Sequence, residues 1–150
     1  MQPGVFLGFD FGLKRIGVAV GQSISRTANP IAVLTALEGR PRWEEIAALI
    51  TAWQADALVV GIPYQVDGGE QPMTLAARQF AQALRENFGL SVYMADERFT
   101  SIDARAQMLF EQQEVGGKPL QLGTTRQRLV VDHYAAQLIL EDWLKAHFNH

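Results

Sequence analysis

Apolar residues fall along this chain in two kinds of block. Short runs rich in β-branched and aromatic residues predict strands, and longer runs with apolar positions three and four apart predict helices. Val5, Phe6, Leu7, Phe9 and Phe11 form the first run, too apolar for a solvated face, and it carries one charge, Asp10. Ile16, Val18 and Val20 alternate with smaller residues in the next block. The short link Gly12-Leu13-Lys14 predicts an antiparallel hairpin between the two. Ile31 to Leu37 predicts a third strand, entered from an Asn29-Pro30 turn and broken by Glu38-Gly39-Arg40.

Pro41 suits a first helical turn. Trp43, Ile46, Ala47, Ile50 and Trp53 then make an amphipathic stripe. Ala57 to Ile62 is a continuous apolar run flanked by helical patterns, which predicts a buried strand with a parallel crossover. After Pro63 comes a polar loop with Asp67-Gly68-Gly69 at its tip. A second helix is predicted from about Pro72, with Met73, Ala76, Ala77, Phe80, Ala81, Leu84 and Phe88 on one side and Gly89 as its stop. Leu90 to Ala95 predicts a strand ending in Asp96-Glu97-Arg98. Thr100 and Asp103 resemble a capping box, predicting a helix over about Ser101 to Gln113. Val115 to Leu120 predicts a mobile loop with glycine hinges, and a last helix runs from Thr124 or Thr125 to about Ala146. The order is that of an α/β domain with a mixed sheet, and 150 residues make it most simply one domain, 1–150.

Three carboxylates break this pattern. Asp10 sits in an apolar run, where a charge is expensive without compensation, and Gly8 and Gly12 leave backbone room beside it, as where a ligand or another chain comes close. The everyday alternative is an Asp in a turn. Asp132 is the one charge on the stripe Leu129, Asp132, Ala136, Ile139 and Trp143, which should face the sheet, although an Asp early in a helix also suits the helix dipole. Glu97 follows a predicted inner strand, at the end where open α/β sheets hold their sites. Asp96 competes with it, since successive side chains in a turn point different ways.

Three acids gathered without a cation would raise one another's pKa and lower stability. A divalent cation removes that conflict, and an oxygen-only ligand set suits Mg²⁺ or Mn²⁺. There is no Cys, and the three His are His133, His147 and His150, so a zinc site is not expected. The absence of Cys fits a reducing cytosol. No run reaches membrane-spanning length and no signal-peptide pattern opens the chain, so no membrane partner is expected. The net charge of −3 excludes a generally basic nucleic-acid coat protein, so nucleic-acid binding would rest on a local patch or on metal ions.

Phe9-Asp10-Phe11-Gly12 with Lys14-Arg15-Ile16-Gly17-Val18-Ala19, then Val60-Gly61-Ile62-Pro63 with Asp67-Gly68, then Asp96 to Ser101, then Val131-Asp132 with Ala135-Ala136 resemble the YqgF/RuvX family. The match spans nearly the whole chain in order and spacing. That family is similar to RuvC-type resolvases. The resemblance implies an RNase H-like fold with a five-stranded mixed sheet flanked by helices, a cytoplasmic location and a nuclease that trims the 5′ end of the small-subunit ribosomal RNA precursor. It also implies Asp10, Glu97 and Asp132 as catalytic and metal-binding residues, and it ranks Glu97 above Asp96. His133 stands where a resolvase would carry a fourth carboxylate, which weakens a full transfer of resolvase chemistry.

The chemistry expected is metal-assisted hydrolysis. Asp10 would bridge two ions, Glu97 would bind one or position the water, and Asp132 would complete the second ion's shell. Lys14, Arg15, Arg98, Lys118, Arg126 and Arg128 are candidates for holding the strand by its phosphates, with Lys14 and Arg15 first because they follow Asp10. The expected partners are RNA or branched DNA, with ribosome assembly intermediates behind them, and the chain acts as a monomer or homodimer. Competing readings are a junction resolvase, which needs a dimer, a nucleic-acid-binding factor without turnover, and an actin-like ATPase, for which the chain is too short.

Overall fold

The computed structural model describes residues 3–64, 67–97, 114–115, 118–119 and 125–148, with side chains except at 114–115, 118–119 and 125–133. In chain order the elements are β1 (Val5–Asp10), β2 (Arg15–Gln22), β3 (Thr27–Leu37), β4 (Arg40–Pro41), α1 (Trp43–Trp53), β5 (Ala57–Ile62), α2 (Pro72–Phe88), β6 (Ser91–Asp96), β7 (Glu114–Val115), β8 (Lys118–Pro119) and α3 (Thr125–His147). The main sheet runs β4-β3-β2-β1-β5-β6. β1 lies antiparallel to β2 and parallel to β5, and β6 is parallel to β5, so the sheet is mixed as the pattern predicts.

Six strands stand where five were expected. The sixth is the two-residue β4, which folds back on Ala36 and Leu37. Glu38 and Gly39 make that reversal with φ of 52° and 81°, the double positive-φ turn that suits a two-residue hairpin. Pro41 therefore belongs to a strand, and α1 begins at Trp43 behind an extended Arg42. β3 also starts earlier than expected, at Thr27. Pro30 sits inside it because the register shifts between Val18 and Ala19, leaving Ile31 as the extra residue of a bulge. A bulge tolerates the absence of the N–H donor that proline lacks.

The helix signals in α2 hold in detail. Pro72 fills the first turn, Gln71 and Thr74 form the cap, and Gly89 ends the helix at φ 64°. Two apolar layers cover the sheet. On one face Leu7, Phe9, Leu58, Val60 and Ile62 pack against Ile46 of α1 and Ala77, Phe80 and Leu84 of α2. On the other, Phe6, Val59 and Ala95 pack against Ala136, Ile139, Leu140 and Trp143 of α3. Strands buried on both faces explain the unbroken apolar runs in β1 and β5.

Val115 and Lys118–Pro119, expected in a loop, pair as the β7–β8 ladder. The glycines between them, the predicted helix over 101–113, its Thr100 cap and Arg98 lie outside the described residues.

Candidate active site

Alternation along β1 sets the direction of Asp10. Phe6 packs on Trp143 of α3 with ring centroids 5.5 Å apart. A Cβ at Gly8 would stand 2.8 Å from Leu140 Cβ of the same helix. Asp10 has the same parity as Phe6 and Gly8, so it belongs to the face that α3 covers. It closes β1 opposite Gly17 of β2 and is half-buried.

The room that Gly8 leaves is thus taken by α3, and that at Gly12 by the Arg15 carbonyl, 2.5 Å from a would-be Cβ. Neither is a space for ligand; of the two readings the sequence offers, close approach by another part of the chain is the one seen at Gly8. The glycine that matters to the acids is Gly61 of β5, which the pattern gave only as part of a buried strand. The β1–β5 register pairs Phe9 with Val60, so Gly61 follows beside Asp10. A Cβ on Gly61 would meet Glu97 Oε1 at 2.8 Å and Ile139 Cδ1 at 2.7 Å. The Glu97 carboxylate therefore rests on bare backbone, under α3, in the lane next to Asp10.

Asp96 and Glu97 diverge. Asp96 closes the β6 ladder against Ile62 and lines a cavity of about 290 Å³ with Met94, Asp142, Trp143 and His147. Glu97 turns to Gly61 and Ile139. The backbone of α3 carries Asp132 one helical turn before the buried Ala136, on the stripe continued by the buried Ile139 and Trp143. Its side chain lies outside the described side chains, as does that of His133. Among the described residues no group of three His, Asp or Glu forms a cation site. The two acids whose side chains are described offer only oxygen donors, and the cradle at Gly61 is open to Glu97 because no Cβ fills it. This donor chemistry fits a hard divalent cation better than zinc.

Two of the basic candidates lie at the strand end that holds Asp10. Lys14 is exposed in the β1–β2 link, where its carbonyl accepts from Ala36 N at 2.8 Å, and Arg15 opens β2. Lys118 lies in β8, and Arg126 and Arg128 in the first turn or so of α3, which has no acidic residue. No described helix is long and apolar enough to cross a membrane.

A model of the RuvX family, described as Holliday junction resolvase, matches residues 4–146. A protein of Coxiella burnetii is 52% identical over 148 residues, covering 99% of this chain and 97% of the relative, and bears the name "Putative pre-16S rRNA nuclease". A protein of Shewanella oneidensis with the same name is 46% identical over 150 residues, covering 99% of each chain. Among solved structures, Thermus thermophilus RuvC in complex with a Holliday junction substrate matches with a TM-score of 0.51 at 15% identity, covering 95% of this chain and 94% of that one. The fowlpox virus Holliday junction resolvase matches at 0.51 and 17%, covering 95% and 99%. At these identities the structural likeness speaks to the fold, which is that of RuvC-like, RNase H-like proteins.

Proposed function

The chain belongs to the RuvX family, and from that premise we propose that it is a nuclease that hydrolyses phosphodiester bonds, with the 5′ end of a 16S ribosomal RNA precursor as its substrate. Full-length identity of 46–52% to relatives named for that RNA supports the substrate. The observation that carries the chemistry is the Glu97 carboxylate lying on Gly61 beside the strand end that holds Asp10. Acids brought to one end of a sheet, under a helix that carries Asp132, suit hydrolysis of a phosphodiester.

Asp10, Glu97 and Asp132 are the residues that would hold divalent cations, Mg²⁺ or Mn²⁺. Such ions would supply positive charge at the phosphoryl oxygens and lower the pKa of the attacking water. Glu97, resting on the backbone of Gly61, would present its carboxylate to the reacting phosphate. Lys14 and Arg15, just beyond Asp10, bind neighbouring phosphates and fix the strand in register. Arg126 and Arg128 occupy a helix start, where the dipole disfavours cations, and an anionic backbone would offset that cost. Lys118 and Arg98 extend the same contacts. The chain works as one domain, monomeric or as a homodimer, in the cytoplasm on ribosome assembly intermediates.

The test is cleavage of a 5′-extended 16S precursor fragment with Mg²⁺ or Mn²⁺. The wild type cleaves it, and Asp10→Asn loses cleavage while keeping its thermal midpoint. Full activity in Asp10→Asn would remove Asp10 from the mechanism. The family description favours a second reading, a resolvase acting on branched DNA. A four-way DNA junction as competing substrate, with mass in solution, separates the two. A dimer that cuts the junction and spares the RNA supports the resolvase. RNA binding that persists in EDTA, without cleavage under any divalent ion, supports a binding factor without turnover.

A further inference from the structure

Beyond Ile62 the chain leaves β5 through Pro63 and Tyr64, and side chains of α2 and its cap hold this exit. Thr74 Oγ1 donates to the Pro63 carbonyl, Gln71 Nε2 donates to the same carbonyl at 3.3 Å, and the Gln71 backbone N–H donates to Thr74 Oγ1 at 3.1 Å. Arg78 completes the arrangement. One of its amino groups donates to the Tyr64 hydroxyl and the other to the Glu70 carboxylate, while its guanidinium carbon lies 5.2 Å from the Tyr64 ring centroid. Tyr64 is three residues past Gly61, at most about 10 Å of backbone. Arg78 therefore stands at the carboxyl end of the strand on which Glu97 rests.

We propose that Arg78 binds a backbone phosphate of the nucleic-acid strand and that Glu70 is its partner only while the site is empty. The inference rests on the nuclease reading above. The amino group that donates to Glu70 can donate to a phosphate oxygen in the same way, so the exchange keeps the guanidinium in place. The Arg78–Glu70 pair is 39% and 41% exposed, and ion pairs so wetted open readily. The two partners of Arg78 use different amino groups, so losing Glu70 leaves the Tyr64 bond in place. That bond keeps the guanidinium, which is charged throughout, aimed while the exchange occurs. Tyr64 is thus the positioning residue and Glu70 the competitor.

The distinguishing feature is that removing an acid from the α2 approach improves binding through one named cation. Affinity for a labelled single-stranded RNA is measured by anisotropy, with Ca²⁺ replacing Mg²⁺. Glu70→Gln tightens binding about two- to fivefold, the range that opening an exposed pair allows. Arg78→Gln weakens binding and lowers the slope of log K against log salt by about 0.7, the share of one phosphate on a single strand. In the double variant the gain from Glu70→Gln disappears. Glu86→Gln, an equal charge change further along α2, leaves affinity unchanged. A Glu70→Gln variant that binds no tighter, or whose gain survives without Arg78, overturns the proposal, as does one that lowers only the thermal midpoint. If the wild type binds RNA and Glu70→Gln does not tighten it, the assignment of Arg78 alone falls. If the wild type binds no RNA, the nuclease reading falls with it.

Discussion

Glu97 lies against Gly61, so close that a Cβ there would stand 2.8 Å from Oε1. A hydrogen in place of a side chain at one position of β5 thus decides where a carboxylate at the end of β6 can rest. The same missing Cβ admits Ile139 Cδ1 of α3, which would otherwise be 2.7 Å away. One residue therefore sets both where an acid rests and where the tip of Ile139, on the helix above it, lies.

Gly61→Ala should separate these roles from simple folding. The new methyl displaces only the side-chain tips of Glu97 and Ile139, which can turn aside, so stability should fall by no more than about 1 kcal/mol, the low end of overpacking. Cleavage should fall by roughly 100-fold, as expected when a reacting group moves by about 1 Å. Urea unfolding and single-turnover cleavage measured on the same preparation check both figures. Unchanged cleavage in a folded Gly61→Ala protein would show that the position of Glu97 is immaterial.

Gly8→Ala probes the seat of α3. Its Cβ would meet Leu140 Cβ at 2.8 Å, and a Cβ atom cannot swing aside as a side-chain tip can. The helix must lift from β1, with a loss of about 1–3 kcal/mol in urea unfolding. Because the same helix carries Asp132, cleavage should fall as well. A variant as stable as the wild type would mean that β1 and α3 are not closely packed at this point.

Lys14→Ala with Arg15→Ala tests phosphate binding next to Asp10. The slope of log K against log salt for single-stranded RNA should drop by about 0.7 for each phosphate that is no longer neutralised. Titration of affinity between about 50 and 200 mM salt, a range over which such binding weakens steeply, gives the answer. An unchanged slope would show that neither residue touches the strand.

Much of this architecture can be read in the residues themselves. β1, β5 and α2 are legible because their signals are local: unbroken apolar runs, Pro72 at a helix start, Gly89 at its end. The stripe of α3 is equally plain, and Ala136, Ile139 and Trp143 are buried on it. Where the pattern misleads, the cause is pairing between segments. β4 exists because Glu38 and Gly39 reverse the chain, and Pro30 fits in β3 because of a bulge opposite β2. Both are properties of two strands together, invisible in either alone. The same holds for the acids. Asp10 stands out as a charge in an apolar run, but where Glu97 rests depends on Gly61, a residue of another strand. Arg78 gives no sequence signal, since it lies on the polar side of α2 and acquires meaning only from Tyr64 and Glu70.

The central claim is that Asp10, Glu97 and Asp132 converge to hold divalent cations. A crystal soaked in Mn²⁺ and recorded at the manganese edge tests it most directly. The account predicts anomalous density within about 2.0–2.2 Å of carboxylate oxygens from Asp10, Glu97 and Asp132. Density held elsewhere on the surface, or an Asp132 side chain turned away from an ion that Asp10 and Glu97 share, would contradict it.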